Sequence, residues 1–287
     1  MTDYAPGKGT FPANRVNRRR VLAAFGGAIV LAGGAAAGVK LAQTSAPAPG
    51  PRRFPGAGPA TAAADEQRAA MAADRAVAFA REVPGHAGLP YPLDKPLYYI
   101  EDTDKAIALT IDDGPDPVYT PQVLQLLERY HVTATFSMIG IHVTAYPHLA
   151  QSVAAAGHRI ANHTQTHADL PTLKAAAVHD QIAQATDAIS TAIGVQPGLF
   201  RAPYGAWSAA VIAECEQQKM IPLDWSVDPK DWSRPGVPSI VSNIMKNTRP
   251  GSIILEHDGG GDRSQTVAAL GIVLPQLLDE GFEFETP

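Results

Sequence analysis

Five short clusters gather residue types that do chemistry together. In chain order they are Asp112-Asp113-Gly114-Pro115, His163-Thr164-Gln165-Thr166-His167, Arg201-Ala202-Pro203-Tyr204, Asp228-Pro229-Lys230-Asp231-Trp232 and Leu255-Glu256-His257. One carboxylate with two imidazoles four residues apart makes a three-ligand set. Such a set leaves positions open for water and substrate, as a catalytic zinc or similar divalent metal requires. The metal acidifies its water, and the second aspartate is placed to take the proton as general base. Successive side chains on a strand alternate in direction, so Asp112 and Asp113 are expected to point apart and take separate tasks. A His-x-x-x-His pair alone says little. A polar turn explains Gly114 and Pro115 but not the doubled acid before them.

These clusters need a frame that brings distant segments together. From about residue 96 short apolar strands alternate with helical stretches. Strands are expected at 106–111, 132–139, 158–161, 199–201, 221–225 and 252–255, with 282–285 closing the chain. Helices are expected at 121–130, 149–156, 173–193, 208–219, 237–247 and 266–280. Alternation of this kind implies a parallel sheet, here one wound into a barrel. In such barrels reactive groups collect where strands end and loops begin, and each cluster follows a predicted strand.

The five clusters, in this order, resemble the motifs of the NodB-homology polysaccharide deacetylases of carbohydrate esterase family 4. That family shows Thr-Phe-Asp-Asp-Gly-Pro, His-Ser/Thr-x-x-His, Arg-x-Pro-Tyr, Asp-x-x-Asp-Trp and Leu-x-His. The one visible departure is Ile111 where Phe is usual, apolar for apolar. The resemblance spans about residues 100 to 287 and implies a distorted (β/α) barrel. It also implies a role for each matching position. Asp112 is the general base, and Asp113, His163 and His167 are the ligands of a divalent ion. Zinc is the expected ion, with cobalt or another divalent metal as alternatives. Arg201 holds the base, and the Tyr204 backbone N–H stabilises the oxyanion, a task closed to Pro203, which has no N–H. His257 is the acid that protonates the leaving amine, and Asp231 tunes it. Trp232 and Leu255 wall the acetyl methyl.

The implied activity is hydrolysis of linear amide C–N bonds, removing N-acetyl groups from peptidoglycan or chitin-type glycans and releasing acetate. An acetylxylan-type O-acetyl esterase and a non-catalytic glycan-binding wall protein are the alternatives. The expected partner is an N-acetylated polysaccharide or oligosaccharide, bound by a monomer.

Composition bounds the rest. The chain has 287 residues, is 45% hydrophobic and 18% charged, and carries a net charge of -5. That excludes a disordered chain, and slight acidity argues against nucleic acid as a partner. Its one cysteine, Cys215, rules out an intrachain disulfide and reads as a buried small hydrophobe. Residues 1–20 hold Lys8, Arg15, Arg18, Arg19 and Arg20 against Asp3, a net +4 that leaves -9 for the remainder of a chain totalling -5. This basic n-region precedes the uncharged run 21–39, within a segment 21–40 expected to be a signal peptide or membrane anchor. Asn17-Arg18-Arg19-Arg20-Val21-Leu22 resembles the twin-arginine export signal, with Asn17 in place of the usual Ser or Thr. The amino terminus is therefore expected to stay in the cytoplasm and the catalytic part to be exported, either secreted or tethered.

A Pro/Ala/Gly-rich linker is expected at 41–64, a helical lead-in at 65–95 and the catalytic domain at 96–287. Several conspicuous residues receive no chemical role. His86, His131, His142, His148, His158 and His179 are expected to be solvated or hydrogen-bonded, Trp207 and Trp225 to be core or groove wall, and Asp228 to be a turn residue. Gly259-Gly260-Gly261 reads as a flexible turn beside the site, since it lacks the setting of a phosphate loop.

Overall fold

The computed structural model describes residues 95–100 and 105–287. The expectations for the basic n-region, the signal or anchor, the linker and all but residue 95 of the lead-in lie outside the described residues. Among the described residues no helix is long and apolar enough to cross a membrane.

Seven strands, all pairing in parallel, form the sheet. They are β1 (Ala106–Asp112), β2 (Thr135–Met138), β3 (Arg159–Asn162), β4 (Leu199–Phe200), β5 (Ile221–Pro222), β6 (Ile253–His257) and β7 (Glu283–Phe284). The order is β5-β4-β3-β2-β1-β6, with β7 beside the start of β1. Parallel bridges from Leu97 to Leu223 and from Val227 to Ile254 tie the β5 end of the curl back toward β6. The architecture is thus the distorted α/β barrel expected from the alternation. A parallel sheet covered on both faces reads as a nearly continuous apolar run, and all seven residues of β1 are buried.

Seven helices are described: α1 (Thr120–Tyr130), α2 (Gly140–Ala145), α3 (Pro147–Ala155), α4 (Ala175–Ile193), α5 (Ala209–Gln217), α6 (Val237–Asn247) and α7 (Ser264–Asp279). Each α1 apolar residue that is buried, Val123 and Leu127, lies on the face toward the sheet. Gly194 in the left-handed region ends α4, and the Ser208 hydroxyl accepts from Val211 N–H at the start of α5.

The two-residue period of the strands sorts side chains into two cores. Ile107, Leu109 and Ile111 join the core under the helices, whereas Ala108 belongs to the interior of the curl with Leu199, Leu223 and Ile253. Thr110 and Asp112 continue the interior row. That alternation decides which residues reach the mouth of the barrel.

Several element bounds differ, and one helix is additional. The strand expected at 221–225 is confined to Ile221–Pro222; Leu223 N–H still donates to the Phe200 carbonyl, while the other edge takes the Leu97 segment, Leu97 N–H donating to the Pro222 carbonyl and Asp224 N–H to the Leu97 carbonyl. Helix α2 was not expected, since six residues are too few to show a helical period.

Candidate active site

β1 and β6 run in register, with Asp112 opposite His257. Both side chains therefore leave the sheet on the same face at its carboxyl edge. Asp112 Oδ1 accepts from Arg201 Nη1 at 2.8 Å, and the same nitrogen donates to the Thr110 hydroxyl at 2.7 Å. Arg201 is fully buried just beyond β4. Its remaining donors go to the Asp224 and Leu223 carbonyls at 2.8 and 3.4 Å, and the Trp225 ring lies 5.7 Å from the guanidinium carbon. Burial pushes the Asp112 carboxyl up, but Arg201, aided by His163 and His257, brings it below its ordinary value. The carboxylate stays ionised, as a base must.

Asp113 does not point away from Asp112 as strand alternation predicted. Its φ of 75° breaks the pleat and swings the side chain into the same pocket. Asn and Asp tolerate this left-handed region better than most residues. Asp113 Oδ1 is buried without a hydrogen-bond donor, 3.6 Å from His163 Nε2 and 3.3 Å from His167 Nε2. Two ligands on one ion, each bonded at about 2.0–2.2 Å with tetrahedral spread, lie at roughly such separations. His163 Nδ1–H donates to the Arg201 carbonyl at 2.8 Å, leaving its Nε2 lone pair free. His167 Nδ1 lies 3.1 Å from the Tyr204 hydroxyl. Burial first, with the neighbouring His163, lowers the His167 pKa, which favours the neutral form a ligand needs. Asp113, His163 and His167 thus fit a divalent cation, and they form the candidate cluster among the described residues.

His257 Nδ1 donates to Asp231 Oδ1 at 2.7 Å. Asp231 Oδ2 accepts from the His257 backbone N–H at 3.0 Å and the Thr266 hydroxyl at 2.7 Å. Burial opposes charge on the imidazole, but the hydrogen bond and charge of Asp231, with Asp112 and Asp113, raise it to about 9. Tyr204 is 67% exposed with φ 62°, in a turn whose own bonds run from Gly205 N–H to Ala202 and from Ala206 N–H to Pro203. Those bonds do not use the Tyr204 N–H. Trp232 is 51% exposed and Leu255 is buried.

Other residues support the site in ways sequence reasoning missed. His142 Nδ1 donates to the Asp113 carbonyl at 2.8 Å, pinning the strained residue. Two glycines of the triplet are packed rather than part of a flexible turn: a Cβ at Gly259 would lie 2.2 Å from the Asp113 carbonyl oxygen and one at Gly260 2.7 Å from Asp113 Oδ2, whereas Gly261 is open. Asp224 accepts from Trp207 Nε1 at 2.7 Å and from Trp225 N–H at 3.1 Å, bracing the segment that holds Arg201. Asp228 is the turn residue expected, accepting from Lys230 N–H at 2.8 Å. His158 is buried, and desolvation lowers it to about 4. His179 is hydrogen-bonded to Glu214, and Cys215 is buried and free.

Comparison with known proteins places this site among related ones. A family model described as polysaccharide deacetylase matches residues 100–221. A chitooligosaccharide deacetylase of Bradyrhizobium sp. (strain ANU 289) is 44% identical over 191 residues, covering 62% of this chain and 87% of that protein. A peptidoglycan-N-acetylglucosamine deacetylase of Bacillus cereus is 42% identical over 189 residues, covering 65% and 88%. The crystal structure of the Bc1960 peptidoglycan N-acetylglucosamine deacetylase superposes with a TM-score of 0.64 at 32% identity, covering 66% of this chain and 89% of that one.

Proposed function

The chain belongs to the polysaccharide deacetylase family, and from that premise we propose that it hydrolyses the N-acetyl amide of GlcNAc units in an exported glycan, peptidoglycan first and chitin oligomers next. The observation that carries this reading is the opposed protonation of two groups at one register position. Asp112 is held below its ordinary pKa while His257, across the strand pair, is raised to about 9. Pairs of titratable groups pushed apart in this way mark an acid and a base.

A divalent cation held by Asp113, His163 and His167, for which zinc is our choice, supplies Lewis acidity toward the acetyl carbonyl and the attacking water. The protein supplies the rest. Asp112, steadied by Arg201, accepts the proton of the attacking water. The Tyr204 N–H is free to donate to the developing oxyanion. Trp232 and Leu255 confine the methyl group. His257 gives its proton to the departing sugar amine, and the Asp231 carboxylate holds the imidazole by Nδ1 so that Nε2 faces the reaction. An amine leaves only after protonation, which gives a histidine charged at neutral pH a task that favours amide over ester. The basic residues 1–20 and uncharged run 21–39 support export, by a cleaved signal or a tether, with a monomeric catalytic part meeting the cell wall.

Acetate release measured on peptidoglycan, chitin oligomers and acetylxylan, with and without chelator, tests the proposal. The expected result is release from the N-acetylated glycans, lost on chelation and reduced about 10²–10⁴-fold in Asp112→Ala. Release that survives chelation sinks the metal scheme, and release from acetylxylan alone moves the assignment to the O-acetyl esterases.

A further inference from the structure

β6 is the last strand in the sheet order; Val227 pairs with its outward edge as far as Leu255, and beyond that point the outward backbone groups meet side chains. Asp231 lies along that edge, where it takes the outward N–H of His257 and touches groups on both faces of the strand. One of these is Glu256. Alternation sends Glu256 away from the active-site face, toward the side where Ile254 joins the helix-covered core. Glu256 is fully buried, its carboxyl lies within hydrogen-bonding reach of Asp231, and neither of its oxygens receives a donor from the protein.

The donors in this corner either go elsewhere or do not reach either Glu256 oxygen. The His257 Nδ1–H, the His257 N–H and the Thr266 hydroxyl all go to Asp231. The cation that faces Glu256 is Arg263, which gives Nε to the Gly259 carbonyl at 2.5 Å and Nη1 to the Trp232 carbonyl at 3.3 Å. The other groups facing Glu256 are the acids Asp231 and Asp228. Two carboxylates in contact have no hydrogen between them. A buried charged carboxylate without a single donor is far costlier than a neutral acid that donates.

We propose that Glu256 is a positioning residue of the general acid, holding a proton through neutral pH and donating it as a hydrogen bond to Asp231. Desolvation, with the neighbouring Asp231, acts on the Glu256 carboxyl in the same direction, raising it well above its ordinary value. The hydrogen bond spreads the Asp231 charge away from the imidazole. It therefore limits how tightly His257 holds the proton it must release, and it fixes the carboxylate against the strand edge. The inference rests on the reading of His257 as the proton donor.

Two variants of the full chain test it. Glu256→Gln keeps the volume, the neutrality and a donor; Glu256→Leu removes the donor. The basic limb of the kcat profile is expected to stay in place in Glu256→Gln. In Glu256→Leu it is expected to rise by about one pH unit, with kcat several-fold lower and KM unchanged. Glu256→Gln also guards against a mere folding defect, since rescue by the amide is not expected of a residue needed for its charge. An infrared difference spectrum of wild type minus Glu256→Gln at neutral pH reads the proton without any turnover, and a protonated-carboxyl C=O band is expected. A carboxylate band in its place, or a basic limb that falls in Glu256→Gln because a negative charge has been removed, overturns the proposal. A protein that releases no acetate defeats the deacetylase reading instead, while the infrared band still decides the state of Glu256.

Discussion

Asp112 and His257 occupy one register position on neighbouring strands, yet their surroundings push their protons in opposite directions. The rate should therefore be flat across neutral pH and fall as pH rises through about 9, where His257 loses its proton. The same shift links pH to stability. A histidine whose folded pKa is raised contributes stability fully present below its unfolded value, about 6.5, and lost as pH rises through the folded one. His257→Gln should abolish the basic limb and lower kcat by about 10²–10⁴-fold. The check is kcat for acetate release followed from pH 6 to about 10.5; an unchanged basic limb in His257→Gln assigns that proton to another group. The residues brought together here could be picked out in the sequence because their types are chemically conspicuous and each follows an apolar run. Glu256 could not, because nothing in Leu255-Glu256-His257 shows that β6 is an end strand and that no donor reaches the buried carboxyl. His142 was hidden for a similar reason: its partner is a backbone carbonyl, and a carbonyl leaves no trace in the residue types.

Elements set the positions to a fraction of an ångström, and one loop shows how. Gly259 and Gly260 follow β6 and press on Asp113 at the end of β1. A methyl group at Gly259 meets the Asp113 carbonyl oxygen at 2.2 Å, a backbone atom that cannot rotate aside. Gly259→Ala should therefore displace Asp113 from His163 and His167 without touching any of the three side chains. The expected effect is a loss of about 10–100-fold in zinc affinity, the usual cost of disturbing what orients a metal ligand, measured by competition with a chromogenic chelator. Wild-type affinity in Gly259→Ala means the loop yields and the contact is not a constraint. From sequence the triplet read as a flexible turn, since glycine signals freedom unless the atom it makes room for is known. That atom lies more than a hundred residues earlier. The strands were legible for the opposite reason: burial on both faces makes each a local apolar run, as in β1. Their ends were less so, because β5 is held between β4 and the distant Leu97 segment, a long-range pairing that no local pattern encodes.

At the scale of the whole molecule, the curled sheet joins segments from Asp112 to His257 at one carboxyl edge, and the chain concentrates its costs there. Asp113, Thr164, His167 and Tyr204 all carry positive φ, and buried acids crowd the same rim. Strain of this kind persists only when the surrounding structure holds it. Here the holding groups are the His142 bond, the glycine loop and the Arg201 network. The Asp113 oxygen that faces two imidazoles without a donor is the place where a cation adds most, since it satisfies a buried group that the protein leaves alone. Because the three ligands come from two segments, β1 with its loop and the loop after β3, a bound ion ties parts of the sheet edge that separate on unfolding. A ligand that binds only the folded state stabilises it by about 2.7 kcal/mol at a hundred times its dissociation constant. Thermal unfolding of the protein should therefore shift upward with added zinc in a concentration-dependent way and return on chelation. His163→Gln should flatten that dependence while leaving the melting of the chelated protein nearly unchanged. A melting temperature indifferent to zinc over the range that restores acetate release separates activation from stabilisation, and it means the rim is already rigid without the ion.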